Sequence, residues 1–342
     1  MKTYLSNEPL LLESGELLSQ LKIAYNTYGT LNDSGSNVIW ICHAFTASSD
    51  VESWWPGMIG PNQVFDPQHH FIVCANILGS CYGTTGPLSL NPETGKPYFG
   101  GFPNITVRDM VSAHERLRIY LGINRIALLV GASLGGQQAL EWSIQNPAIV
   151  KKLVLIATNA RHSPWGIAFN EAQRMAISAD SSFGKDQEDA GIAGMMAARS
   201  IALLSYRSYD SYLLRQEDTD ISKTDGFRAS IYQQYQGKKL ADRFNAYSYW
   251  TLSKAMDSHN IARNRSSVES VLGTIQAQTL VIGIKSDLLF PIEEQQTLAL
   301  FIPSAAYTVI PSLFGHDGFL IETQAIRRAI QVFIHSKEFV WS

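Results

Sequence analysis

LVGASLGGQQALEW, Leu129 to Trp142, changes pattern at a single serine. Up to Ala132 it is an apolar run of the kind that forms a strand. From Leu134 the apolar residues recur at helical spacing. Gly131-Ala132-Ser133-Leu134-Gly135 matches G-x-S-x-G, a strained strand-to-helix turn that lifts a serine oxygen above a sheet edge. The small neighbours Gly131, Gly135 and Gly136 let helix and strands approach that turn closely. The helix that follows aims its free N–H groups and the positive end of its dipole at the same spot. The corner therefore presents a nucleophile beside a place that tolerates negative charge.

On either side of this corner, short apolar runs recur at 37–45, 71–78, 125–133, 151–158, 279–287 and 306–312. They are rich in Val, Ile and Leu and scarcely alternate, as strands of a parallel sheet covered on both faces do. Helical patterns at 108–122, 134–147 and 291–302 fall between them, and another at 317–337 closes the chain. Alternating strands and helices predict a doubly wound, mostly parallel α/β sheet. From 161 to 275 the rhythm breaks: no strand pattern is evident, and stretches such as EDAGIAGMMAARSIALLSYRS have helical spacing. The expected organisation is a core of residues 1–160 and 276–342 carrying a helical cap, or lid, of residues 161–275.

A serine hydroxyl is a weak nucleophile at neutral pH and needs a base, which in turn needs an orienting acid. Asp287 ends the run TLVIGIKSD, and His316 follows the last strand in the loop after YTVIPSLFG. The order Ser133, Asp287, His316 is that of the α/β-hydrolase fold. The oxyanion donors expected are the backbone N–H of Leu134 and that of Phe45, in the loop HAFTASS (43–49). His43 in that loop reads as a positioning residue.

Composition narrows the function. Hydrophobic residues make up 45% and charged residues 17%, the balance of a globular protein with a sizeable buried core. Net charge is 27 − 30 = −3 without a basic run, which argues against nucleic acid as a partner. No apolar stretch reaches the roughly 18 residues that a membrane span needs. The first residues, MKTYLSNEPLLLESGELL, make a poor signal peptide. Cys42, Cys74 and Cys81 lack metal-type spacing; Cys42 and Cys74 lie in strand runs and read as buried free thiols. A cytoplasmic setting is expected.

Longer motifs carry a resemblance. WWPGMIGPNQVFDPQHHFIVCANILGSCYGTTGPLSLNPETGKPY (54–98), FPNITVRDMV (102–111), GASLGGQQALEW, SDLLFP (286–291) and GHDGFL (315–320) resemble the motifs of the homoserine O-acetyltransferases, the α/β-hydrolase-fold acyltransferases of methionine biosynthesis. The resemblance spans nearly the whole chain. It implies that Ser133 accepts the acyl group, with His316 as base and Asp287 as its partner. It implies that Arg199 binds the acceptor's carboxylate and Asp317 its amine. Acetyl-CoA would be a co-substrate, with no bound cofactor and no metal. The small-molecule partners are then an acyl-CoA and L-homoserine, and the helical insertion is expected to supply the surface of a homodimer. The elbow carries Ala132 and Leu134 where the family often has Gly and Met. RFNAYSYW (243–250) stands where the family usually reads R-F-D-A-N-S-Y, so Asn245 and Tyr247 replace Asp and Asn. Homoserine O-succinyltransferase, serine O-acyltransferase and a simple esterase or thioesterase are the alternative activities.

Overall fold

The computed structural model describes residues 1–6 and 8–335. Its strands are β1 (Lys2–Ser6), β2 (Leu10–Leu11), β3 (Leu17–Leu18), β4 (Leu21–Tyr28), β5 (Val38–Cys42), β6 (Phe71–Ala75), β7 (Ile126–Ala132), β8 (Val150–Ile156), β9 (Gln278–Ile284) and β10 (Ala306–Ile310). The helices of the core are α1 (Val51–Trp54), α2 (Val107–Tyr120) and α3 (Leu134–Gln145). Six more, α4 (Pro164–Ser178), α5 (Ile192–Tyr206), α6 (Tyr209–Gln216), α7 (Arg228–Ala241), α8 (Ala246–Asp257) and α9 (Val268–Leu272), separate β8 from β9. The chain ends its described part with α10 (Ile292–Phe301), α11 (Gly318–Ile321) and α12 (Thr323–His335).

Eight strands form one sheet in the order β1-β4-β6-β5-β7-β8-β9-β10. From β6 to β10 all neighbours are parallel, and β4 and β1 extend the sheet in antiparallel fashion. The continuous apolar runs follow from coverage of both faces. In β5, Val38, Trp40 and Cys42 join the cluster under α2, α3 and the inserted helices, while Ile39 and Ile41 join the opposite cluster with Val51, Ile326 and Ile330. All five side chains are buried. With no solvated face, period-two alternation is absent.

The helical segment does not have a core of its own. Met195 and Ala198 of α5, Leu240 of α7 and Tyr249 of α8 belong to the same cluster as β5 and β7. The Phe45 ring sits edge-on to Tyr249 with centroids 4.7 Å apart. A buried charge network also ties the segment's exit to the core, since Glu141 on α3 pairs with Arg265 at 2.5 Å and with Arg108 at 3.3 Å.

Two parts of the chain differ from the sequence expectation. The antiparallel strands β1 and β4 have no counterpart among the apolar runs, because the short β1 has three exposed positions and β4 carries Lys22 and Asn26. The closing helix expected over 317–337 is broken. A 3-10 turn at Gly315–Asp317 and the short α11 precede α12, and positions 336 and 337 lie outside the described residues. Near the break, the carbonyl of Phe319 accepts the indole N–H of Trp55 at 2.9 Å, a tertiary partner that helical periodicity cannot report. Among the described residues no helix is long and apolar enough to cross a membrane.

Candidate active site

Ser133 stands between β7 and α3 with φ 56° and ψ −128°. A non-glycine residue there stores strain of order 1–3 kcal/mol, which the surroundings must hold in place. They do so by close approach. A β-carbon on Gly131 would lie 2.1 Å from the Gly135 carbonyl oxygen, and one on Gly135 would lie 2.0 Å from the Cys42 oxygen. The backbone of Ser133 is also pinned: its N–H donates to the Ile156 carbonyl at 3.0 Å, and its carbonyl accepts from Thr158 Oγ1 at 2.9 Å.

The structure brings Ser133, His316 and Asp287 into one hydrogen-bonded chain. His316 Nε2 lies 2.9 Å from Ser133 Oγ, and Nδ1 lies 2.6 Å from Asp287 Oδ2. Asp287 is fixed in turn, since its Oδ1 accepts the N–H groups of Leu289 and Phe290 at 2.8 and 2.9 Å. The Phe290 ring stacks on the imidazole at 5.1 Å, and Phe319 meets it edge-on at 5.2 Å. Burial opposes a charge on His316, but the Asp287 and Asp317 carboxylates outweigh it and hold the pKa above the ordinary histidine value. With the carboxylate at Nδ1, the Nδ1–H tautomer leaves Nε2 free to accept a proton from the serine.

Above this chain lies a cavity of about 260 Å³, lined by Ser133, His316, Phe45, Arg199 and Asp317 among others. It opens beyond the C-terminal ends of the parallel strands, where open α/β sheets bind ligands. Leu134, first residue of α3, and Phe45 both carry backbone N–H groups with no acceptor among the described residues. Both N–H groups are therefore free to donate. His43 is fully buried and spans the loop behind Phe45. Its Nε2 accepts from the Ile77 N–H at 3.1 Å, and its Nδ1 lies 2.9 Å from the Ala44 carbonyl. Burial lowers its pKa to about 4, so it stays neutral.

Arg199 reaches the cavity from α5, its guanidinium over the Tyr206 ring at 5.3 Å and without a carboxylate partner among the described residues. Asp317 is not alone. Arg207 pairs with it at 3.0 Å and lines the same cavity. Tyr206, Arg207, Lys239 and Arg243 are cavity residues that the sequence reading missed. A signal existed for Tyr206, which follows Arg199 by seven residues and so returns to its face of the helix after two turns, whereas Arg207 is the extended residue that ends α5. Lys239 and Arg243, four residues apart near the end of α7, had no such reference point. Arg243 donates to the Thr46 carbonyl at 2.5 Å and to the Tyr82 hydroxyl, tying the inserted segment to the Phe45 loop.

The two departures in RFNAYSYW lie outside this cavity. Asn245 caps α8, its Oδ1 accepting the Ser248 N–H at 2.8 Å. Tyr247 packs between Phe99 and Phe183 and donates to the Lys185 carbonyl. Asn and Asp are nearly equal at an N-cap, so the first change conserves the local chemistry.

An elbow serine on a mostly parallel eight-stranded sheet defines the class, the α/β-hydrolase-fold enzymes. A family model described as the alpha/beta hydrolase fold matches residues 37–323. Within that class, the homoserine O-acetyltransferase of Cyclobacterium marinum is 48% identical over 326 residues, covering 95% of this chain and 93% of that protein. The crystal structure of the homoserine O-acetyltransferase from Bacillus anthracis superposes with a TM-score of 0.91 at 26% identity, covering 99% of this chain and 98% of that one. The chain belongs to the homoserine O-acetyltransferase family and is an acyltransferase. Likeness of fold alone does not reach that far, because the crystal structure of esterase E22 matches with a TM-score of 0.87 at 24% identity, covering 98% of this chain and 100% of that one.

Proposed function

We propose that the enzyme transfers an acetyl group from acetyl-CoA to the hydroxyl of L-homoserine by a ping-pong route. Ser133 Oγ attacks the thioester carbonyl while His316 Nε2 takes its proton. The tetrahedral oxyanion rests on the N–H groups of Phe45 and Leu134. The C–S bond breaks, the thiolate receives the proton from His316, and CoA leaves. Homoserine then gives its hydroxyl proton to His316 and attacks the acyl-serine, releasing O-acetylhomoserine and regenerating Ser133. Asp287 holds the imidazole in the productive tautomer throughout.

The observation that carries this reading is the presence, in one cavity with the Ser133–His316 contact, of a guanidinium at Arg199 and a carboxylate at Asp317. An α-amino acid offers the complementary carboxylate and ammonium, and arginine grips a carboxylate through two parallel hydrogen bonds. An esterase has no use for that pair. Residues 161–275 act as the cap that shields the acyl-enzyme from water and sets the acceptor in near-attack geometry. Leu213 and Leu214 on α6 and Ile231 and Tyr235 on α7 are exposed, and through such apolar side chains a second copy would pack, giving a cytoplasmic homodimer. Sedimentation would show the mass of a dimer, and a monomer at micromolar concentration would overturn that part.

Mass spectrometry of the enzyme mixed with acetyl-CoA alone tests the chemistry. An acetyl adduct on the Ser133 peptide is expected; an adduct on a cysteine, or none under conditions of full turnover, would overturn it.

A further inference from the structure

Just past the ends of two neighbouring parallel strands stand two non-glycine residues with positive φ, Ser133 after β7 and Ala157, at φ 46°, after β8. A backbone conformation this rare persists only where the surroundings hold it. The nucleophile turn accounts for the first and not for the second. The two residues after Ala157 each join the same pair of elements. Thr158 donates its hydroxyl to the Ser133 carbonyl at 2.9 Å, and its own carbonyl accepts from Gln295 Nε2 on α10 at 2.7 Å. Asn159 accepts from Gln137 Nε2 on α3 at 2.9 Å and donates its amide to Glu294 Oε2 on α10 at 3.0 Å. Each residue thus holds the elbow, or the helix it starts, on one side and α10 on the other. α10 in turn anchors the acid. It begins at Ile292, five residues after Asp287, and the turn between them supplies the Leu289 and Phe290 N–H groups that fix Asp287 Oδ1. Thr158, Asn159, Gln137 and Gln295 are all buried. Apolar side chains of the same shapes could pack there with little net loss of stability. What hydrogen bonds add is fixed distance and direction. That matters where one imidazole must reach a serine oxygen at 2.9 Å and a carboxylate at 2.6 Å.

We propose that Thr158 and Asn159 are positioning residues, two bridges between the nucleophile elbow and α10 that hold Ser133 and Asp287 at the separation one imidazole can span. The proposal rests on the Ser133–His316–Asp287 chemistry put forward above. Neither residue is among those that line the active-site cavity, so both act through Ser133 and Asp287 rather than on a substrate. Burial pushes the Glu294 carboxyl up to about 7 in spite of the Asn159 bond, and the charge of Asp287 adds to the rise. The far end of the second bridge therefore lies within the field of the acid. A further contact, His259 Nε2 at 3.1 Å from the Asn159 carbonyl, ties the same step of chain to the segment beyond α8. Groups held in this way keep a catalytic arrangement within a few tenths of an ångström, which is what proton transfer along the chain requires.

Loss of a bridge should slow the chemical step and leave binding alone. Stopped-flow release of CoA over a range of acetyl-CoA concentrations reads the limiting acylation rate and the half-saturating concentration separately. Thr158→Val keeps the shape and deletes the hydroxyl. The Ser133 carbonyl still accepts the Gly136 and Gln137 N–H groups at 2.9 and 3.1 Å, so no buried acceptor is left unpaired. The limiting rate should fall about tenfold to a hundredfold, the effect of a misplacement on the order of 1 Å, with the half-saturating concentration unchanged. Thr158→Ser, which keeps the hydroxyl, should recover most of the rate. A Thr158→Val enzyme that acylates at the wild-type rate, or one whose loss lies only in half-saturation, would overturn the proposal. Glu294 gives an independent reading should Thr158→Val not fold. Glu294→Ala removes the acceptor of Asn159 and should slow acylation about tenfold, whereas Glu294→Gln keeps an acceptor and should restore it. Equal rates in those two variants would overturn the proposal as well. Labelling of Ser133 by a fluorophosphonate needs the serine and its base but neither CoA nor homoserine. The same order of rates is expected there, so failure of the bridges is distinguishable from failure of the proposed activity.

Discussion

The floor and the roof of the active site are built on opposite terms. On the floor, Ser133, His316 and Asp287 follow β7, β10 and β9 and form one hydrogen-bonded chain, in which His316 and Asp287 are each bonded on both sides. On the roof, Arg199, Lys239 and Arg243 hang from the helices α5 and α7 or the turn after α7, and Arg199 and Lys239 have no carboxylate partner among the described residues. A satisfied group needs nothing from a substrate and can perform the same step on many. An unsatisfied cation waits for a particular partner. On the function proposed, the floor would set the reaction type and the roof the choice of substrate, the division that lets one fold host different activities.

Damage to the floor should be the most severe. Ser133→Ala should lower turnover by roughly four to six orders of magnitude while leaving the melting temperature near that of the wild type. Release of CoA measured with a thiol reagent checks the first part, and residual activity within about a hundredfold of wild type would show that another group carries the acyl chain. Asp287→Asn should cost about 10³–10⁴ in turnover, because an amide at that position favours the wrong imidazole tautomer. If turnover were unchanged, Asp317 would have to be the orienting acid.

A change at the border between floor and roof should act on pH rather than on the maximal rate of acylation. His316 must be neutral to accept the serine proton, so acylation fails as pH falls through its pKa. That pKa stands above the ordinary value because Asp287 and Asp317 together outweigh burial. In Asp317→Asn the acidic limb of kcat/KM for acetyl-CoA should therefore move to lower pH, with a large rise in KM for the acceptor. A limb that stayed in place would remove Asp317 from the electrostatics of the base. The smallest effect belongs to Asn245→Asp, which restores the family's usual residue. Since the position is a helix cap outside the cavity, stability should change by less than about 0.5 kcal/mol and KM for homoserine should not move. A severalfold change in that KM would mean that the cap reaches the acceptor through α8.

The same division governs what the sequence reveals. The inner parallel strands are readable because burial on both faces leaves an unbroken apolar run, and Ser133, Asp287 and His316 are readable because Ser133 ends one such run and the other two lie within six residues of the strand before them. The antiparallel β1 and β4 were not, since partial exposure and polar residues dilute their pattern. Arg207 was missed for a different reason. Its pairing with Asp317 joins residues far apart in the chain, and no local periodicity encodes such a contact. The cations at 239 and 243 look from the sequence like any solvated helix end, and only the folding of α7 over the elbow turns them toward the cavity.

The central claim, that the roof serves the second half-reaction and the floor serves both, is tested most directly by stopped-flow release of CoA from Arg199→Ala, with and without homoserine. The first burst of CoA should match the wild type, because acylation of Ser133 does not use the acceptor clamp. Subsequent turnover on homoserine should fall by the equivalent of about 2–5 kcal/mol, the cost of removing one partner of a charge pair in a dry pocket, and slow hydrolysis should become the main fate of the acyl group. Equal loss of burst and turnover would contradict the claim and place Arg199 in donor binding or in the fold, and a wild type that releases CoA no faster with homoserine than without it would contradict the transferase reading altogether.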